Sequence, residues 1–216
     1  MSSQPSVIPV VGVIGGIGSG KSSVTRRLRE LSLAAGRPVE VIDADQLGHQ
    51  VLLLPNVKDR IRERFGNDVF ESISPMISRS ALARIVFGTD PSAEIARRDL
   101  ERIVHPEIRS LAERQIRELR QRGEVAAILL DAAVLLEAGW NSVCDLVAFI
   151  DTPDALRLAR VQAGRGWSAE ELAKREASQW PLARKRAAAD VVIDNSGSVD
   201  DAAKQLDEAI SNFGVR

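Results

Sequence analysis

Residues Gly15 to Ser22 read G-G-I-G-S-G-K-S, and the fold turns on how this stretch is read. It fills every fixed position of the phosphate-binding loop template, in which Gly, four free positions, Gly, Lys and Ser or Thr follow one another. The apolar run Val10-Val11-Gly12-Val13-Ile14 precedes it and suits a buried strand, while Val24 to Leu31 follows with helical spacing and strong helix formers. Gly15, Gly16, Gly18 and Gly20 permit positive backbone angles and leave no side chain in the way, so that consecutive N–H groups can converge on a polyanion. The helix starting near Gly20 adds its positive dipole end. Lys21 is placed to reach the outer phosphates, and the Ser22 hydroxyl is the expected magnesium ligand. Together they would cradle a nucleoside triphosphate; the alternative, a glycine-rich turn that binds nothing, fits poorly with so full a match and both flanks.

The 216 residues suit one domain, or one core with insertions. With 29 basic and 30 acidic residues, nothing global points to nucleic acid or an anionic membrane, so the expected partners are small-molecule substrates. The single cysteine, Cys144, rules out an intrachain disulfide and reads as a small buried hydrophobe near a strand. Met1 to Ser6 holds no basic residue ahead of the apolar run, and no apolar stretch reaches the roughly 18 residues of a membrane span. A soluble cytoplasmic protein, monomer or weak homo-oligomer, is the expectation.

Five apolar runs rich in valine and isoleucine alternate with helical segments: Val10-Ile14, Val39-Ile42, Ala126-Asp131, Leu146-Ile150 and Val191-Ile193. This spacing predicts an α/β fold with a five-stranded parallel sheet flanked by helices. The runs lead into or end on Asp43, Asp131, Asp151 and Asp194, and carboxyl ends of parallel strands line the ligand crevice of open sheets. Between the second and third runs lie Lys58 to Phe65, an Arg79 to Phe87 helix, and an amphipathic stretch from Ser92 to Arg122 interrupted at His105-Pro106. The division expected is a nucleotide-binding core of 1–57, 123–154 and 187–216, a helical insertion over 58–122 that suits a substrate-binding subdomain or simple helical padding, and a basic helical segment over 155–186 that reads as either a lid or a solvated face. The lid segment carries Arg157, Arg160, Arg165, Arg175, Arg184 and Arg186; by spacing alone a solvated charged face explains them best. Val199 to Phe213 reads as a structural amphipathic helix.

Asp43 and Asp45 lie two residues apart just past the second run, on one side if the extended backbone continues. One carboxylate there suits a base for an attacking hydroxyl, the other a substrate or metal-water contact; capping of a helix beginning near Gln46 is the alternative. Asp131 is the second candidate for a magnesium-associated acid. Glu137 reads equally as support for the site or as helix surface.

The ordered set of the loop, Ile42-Asp43-Ala44-Asp45, Ser78-Arg79, His105-Pro106, Asp131 through Leu135-Leu136-Glu137, and Ala189-Asp190 through Ile193-Asp194-Asn195-Ser196-Gly197 resembles dephospho-coenzyme A kinases over nearly the whole chain. The resemblance implies a phosphate-loop NTPase core like that of nucleoside monophosphate kinases, with a coenzyme-binding helical insertion and a mobile lid. It also implies transfer of the γ-phosphoryl of MgATP to the ribose 3′-hydroxyl of dephospho-coenzyme A. By motif match it makes Lys21, Asp45 and Arg160 the catalytic set, with Asp45 as base and Arg160 as lid arginine. Gly16, Ile17, Gly18, Ser19, Gly20, Lys21, Ser22 and Ser23 become nucleotide-binding, Ser22 the metal ligand, and Asp43, Arg79, His105 and Asp131 acceptor-side residues, although His105-Pro106 also reads as a helix start.

Two departures from the family pattern stand out. Ala132-Ala133-Val134 replaces the usual proline-containing step before Leu-Leu-Phe-Glu, and Arg165 in Ala163-Gly164-Arg165-Gly166-Trp167 is shifted by one place and lacks its following acid. Other small-molecule kinases of the same core are the enzyme rival; a guanine-nucleotide switch lacks its Asn-Lys-x-Asp element.

Overall fold

The computed structural model describes residues 8–88 and 91–213; Met1 to Ser6, read above for a leader, lie outside the described residues. Five strands form, β1 (Val10–Gly15), β2 (Val39–Asp43), β3 (Ala127–Asp131), β4 (Leu146–Asp151) and β5 (Val191–Asp194), in the order β2-β3-β1-β4-β5. Every pairing is parallel, with Val13 beside Asp131 and Asp43 beside Asp131 at the carboxyl ends. The central strands β1 and β3 are buried along their whole length, which is why they read as unbroken apolar runs, while the edge strands β2 and β5 are only partly covered.

Two acids just ahead of strands set their register. Asp145 accepts from the Val10 amide at 2.8 Å and from Arg120 Nη2 at 2.7 Å. Asp190 accepts from the Val147 amide at 2.8 Å, which gives the Ala189-Asp190 step a structural task. On one face α1 (Lys21–Ala34) and α9 (Val199–Phe213) join the sheet through Val24, Leu28, Ala202, Ala203 and Leu206, all fully buried. Arg27 locks the two helices from outside, its Nε and Nη2 donating to both Asp200 oxygens at 2.7 and 2.9 Å. Cys144 packs against Gly12, where a Cβ would come within 2.9 Å of its sulfur, and burial pushes its thiol up to about 12.

The chain divides into two compact units, one taking the chain up to Asp43 together with Gln115 onward, the other Ala44–Arg114. The second unit holds α2 (Ala44–Val51), α3 (Pro55–Phe65), α4 (Arg79–Val86) and the first part of α5 (Pro91–Arg122). Leu47, Val51, Val57, Ile61, Val69, Leu82, Val86, Ile103 and Ile108 are among its buried side chains. Ser78 caps α4 by accepting from the Ala81 amide.

Two open points of the sequence are decided here, the second against expectation. The extended backbone does not continue past Asp43: α2 starts at once, so Asp43 ends a strand and Asp45 sits in a first helical turn, where a carboxylate meets the positive dipole end. Nor does His105-Pro106 interrupt or start a helix, because α5 runs through Pro106. Proline has no N–H for the carbonyl of Arg102 and crowds it. Arg60 of α3 makes good the loss, its Nη2 donating to Arg102 O and its Nη1 to Ile103 O, each at 3.3 Å. His105 is half-buried beside this point, and burial lowers its pKa from the usual 6.5 despite the opposing charge of Glu101.

Arg60→Ala should therefore lower stability by about 1 kcal/mol in urea unfolding, and Pro106→Ala in that background should recover most of it by restoring the helical donor. Equal stability with and without Arg60, or no recovery, would contradict this explanation. For His105 the folded pKa lies below the unfolded one, so stability is intact above about pH 6.5 and falls as acid protonates the unfolded chain first. His105→Asn should flatten that acid limb; an unchanged slope would show that another group causes it.

Candidate active site

The phosphate loop leaves β1 at Gly15 and enters α1 at Lys21, with Gly20 as the N-terminal cap residue. Only two of its four glycines take positive φ, Gly18 at 76° and Gly20 at 84°. Gly15 and Gly16 do not; they are needed for the space that the absence of a side chain leaves. A Cβ on Gly15 would lie 2.6 Å from Ser19 Oγ, and one on Gly16 2.9 Å from Arg157 Nη1.

The back of the loop is bound by side chains from three later segments. Ser19 O accepts from Thr152 Oγ1 at 2.9 Å, Arg160 Nη1 at 3.0 Å and Asn195 Nδ2 at 2.7 Å. Thr152 follows β4, Arg160 lies on α6 (Asp154–Arg165), and Asn195 follows β5. In a planar trans peptide the carbonyl and the next N–H point in opposite directions, so donors gathered on Ser19 O turn the Gly20 N–H to the other side of the loop. The polarity required for an anion cradle is thus imposed from behind.

In front, the Ser22 hydroxyl donates to Asp131 Oδ2 at 2.6 Å and Lys21 Nζ lies 3.7 Å from Asp131 Oδ1. Asp131 is buried at the end of β3, next in register to Asp43. Lysine, serine hydroxyl and two strand-end carboxylates therefore gather at one edge of the sheet. The other strand-end acids have local tasks: Asp151 pairs with Arg186 at 3.2 Å, and Asp194 accepts from the Ser196 amide, a bond that holds its carboxyl below the usual range.

Of the remaining predicted residues, Asp45, Arg79 and His105 belong to the unit 44–114, in the first turn of α2, at the first residue of α4 and within α5. Arg160 touches the loop, although through a carbonyl on its back. Arg165 stacks on Trp167 at 4.7 Å, and Arg175 of α7 (Ala169–Glu176) lies over the same ring at 4.2 Å.

Sequence reading missed Thr152, the task of Asn195, and Lys185. Lys185 of α8 (Leu182–Ala187) is 1% exposed, yet its ammonium is fully engaged by Glu137 at 2.8 Å, Ala133 O at 2.7 Å and Gln179 Oε1 at 2.9 Å. Glu137 also accepts from the Trp180 amide at 2.8 Å, so it ties the segment after β3 to α8. Its place between Arg184 and Arg186 hides Lys185 in what reads as a charged surface; the signal was the polar residues Glu137 and Gln179, which only the fold brings to it.

The dephospho-CoA kinase family model matches residues 9–201. The chain belongs to the dephospho-coenzyme A kinase family. The chain is 35% identical over 201 residues to a dephospho-CoA kinase of Carboxydothermus hydrogenoformans, an alignment covering 93% of this chain and 92% of the relative. The crystal structure of TT1252 from Thermus thermophilus superposes with a TM-score of 0.75 at 31% identity, covering 95% of this chain and 97% of that one. A dephospho-CoA kinase from Campylobacter jejuni shares the fold, with a TM-score of 0.64 at 22% identity over 94% of this chain and 97% of its own. The family fold is the five-stranded phosphate-loop kinase sheet described above. No described helix is long and apolar enough to cross a membrane.

Gly18→Ala should abolish the loop's function while leaving the sheet intact, because the new Cβ would meet Arg157 O at 2.7 Å and force a left-handed alanine, a strain of about 1–2 kcal/mol before the clash. Binding of a fluorescent ATP analogue should weaken more than about 10-fold with unchanged far-ultraviolet dichroism. Wild-type affinity in this variant would show that the loop has room the structure denies it.

Proposed function

We propose that this chain transfers the γ-phosphoryl group of ATP to the ribose 3′-hydroxyl of dephospho-coenzyme A, the last step of coenzyme A synthesis. The observation that carries the reading is the family match from residue 9 to 201, which takes in both the loop and the helical unit. The loop and the Lys21, Ser22 and Asp131 cluster supply the donor half, since phosphoryl transfer depends chiefly on positioning and on neutralising phosphate charge. Magnesium suits this cluster: the Ser22 hydroxyl and the Asp131 carboxylate, 2.6 Å apart, are the hard oxygen donors that ion takes. Ser22 would hold the ion and Asp131 would stand beside it. When bound, magnesium neutralises charge on the transferring phosphates.

Asp45 is the proposed base for the 3′-hydroxyl, by its match to the family's Asp-x-Asp element, and Arg79, His105 and Asp43 are proposed acceptor contacts on the same ground. Lys21 neutralises the outer phosphate oxygens. The enzyme acts as a soluble cytoplasmic protein on small molecules alone, as a monomer or weak oligomer.

An assay coupled to ADP release, run with dephospho-coenzyme A beside adenosine monophosphate, shikimate and gluconate, tests the acceptor. Turnover with dephospho-coenzyme A is expected; none with it and turnover with another acceptor would overturn the reading. Asp45→Asn should cut kcat by roughly 100-fold or more while leaving ATP affinity within about twofold. Parallel loss of ATP binding would make Asp45 a structural or metal-associated residue instead.

A further inference from the structure

Arg157 lies one helical turn before Arg160 on α6, in a segment whose spacing suggests a solvated face, yet it is 4% exposed. Its Nη1 donates to Ile17 O at 3.2 Å and also pairs with Glu176, the last residue of α7. Nη2 donates to Asp154 at 2.8 Å, and Nε is buried without a partner. A guanidinium so enclosed needs counter-charge close by. The Asp154 side chain is 91% exposed and well screened, whereas that of Glu176 is 27% exposed, so Glu176 supplies most of the compensation for the inner nitrogen.

The loop is fitted to this residue on two sides. A Cβ at Gly16 would lie 2.9 Å from Nη1, and one at Gly18 would lie 2.7 Å from the Arg157 carbonyl oxygen. The peptide argument made for Ser19 applies here too: the carbonyl of Ile17 and the N–H of Gly18 belong to one planar unit, so a donor on the former aims the latter away from α6. One nitrogen thus touches both the end of α7 and the peptide that presents Gly18 N–H.

We propose that Arg157 is a positioning residue for nucleotide binding, which couples the seating of α7, through Glu176, to the orientation of the Ile17–Gly18 peptide. The proposal rests on the loop being the triphosphate site. It assigns Arg157 and Arg160 separate duties, one for the Gly18 donor and one for the Gly20 donor, and it makes the affinity of the loop depend on a carboxylate in the lid segment that touches no phosphate.

The test is titration calorimetry of the full chain with magnesium and a non-hydrolysable ATP analogue, for wild type, Glu176→Ala, Glu176→Gln, Arg157→Met and the Glu176→Ala/Arg157→Met double variant. Steady-state KM values for ATP and dephospho-coenzyme A are measured alongside. Glu176→Ala should weaken nucleotide binding about 10-fold, Glu176→Gln less, and the double variant no more than Arg157→Met alone, with the KM for dephospho-coenzyme A held within about twofold. A merely structural role would instead lower the active fraction and leave both constants alone. Nucleotide affinity within twofold of wild type in Glu176→Ala, or losses that add in the double variant, overturns the proposal. Should Arg157→Met not fold, the two Glu176 variants decide the matter by the same criterion. Failure of the wild type to bind the analogue would overturn the triphosphate reading of the loop, and this inference with it.

Discussion

The carbonyl oxygen of Ser19 is the point on which the nucleotide half of this molecule depends. It receives donors from Thr152, Arg160 and Asn195, each brought there by a different element of the parallel sheet unit. A loop of glycines has little preference for one face over the other; what gives it direction is that its carbonyls are claimed from behind. The strands then matter less as walls than as carriers, since β4 delivers Thr152 and β5 delivers Asn195 within hydrogen-bonding reach of a loop that β1 delivers. The Ile-Asp-Asn-Ser-Gly ending, a family mark in the sequence, thereby acquires a physical reason: its asparagine holds the phosphate loop, and its aspartate closes the turn after β5.

Buried charge repeats this theme. Lys185 and Glu137 form an ion pair that is almost wholly withdrawn from water, with the remaining lysine protons given to Ala133 O and Gln179. Such a pair adds little net stability over apolar packing, but removing one partner strands the other, at a cost of about 3–5 kcal/mol. Its use here is specificity: it fixes where α8 lies against the segment that follows Asp131. The Ala132-Ala133-Val134 departure from the family pattern falls in that segment, and the backbone oxygen of Ala133, which any residue type would supply, does the holding.

Much of this could be read in advance, and for a simple reason. Strands buried on both faces must be apolar throughout, so β1, β3 and β4 stand out as runs, the partly covered edge strands β2 and β5 still show their valines and isoleucines, and the loop template carries its own flanks. The features that escaped are those settled by distant partners. Pro106 reads as a helix boundary until Arg60 supplies the donors its neighbourhood lacks. Asp45 reads as the second acid of an extended pair, but the backbone turns helical at Ala44. Arg157 reads as solvated surface, and Lys185 draws no reading at all, since nothing local in the chain reveals that Glu176 and Glu137 will meet them. Burial of a charge is a property of the fold, and spacing alone does not report it.

Hydrogen exchange at the amides of residues 16–22, followed by mass spectrometry of overlapping fragments with and without magnesium and a non-hydrolysable ATP analogue, tests the central claim most directly. If the loop's N–H groups are aimed outward by donors on Ile17 O and Ser19 O, nucleotide should slow exchange there more than anywhere else in the chain. Slowing confined to other segments, with 16–22 unchanged, would mean that the triphosphate does not sit on this loop.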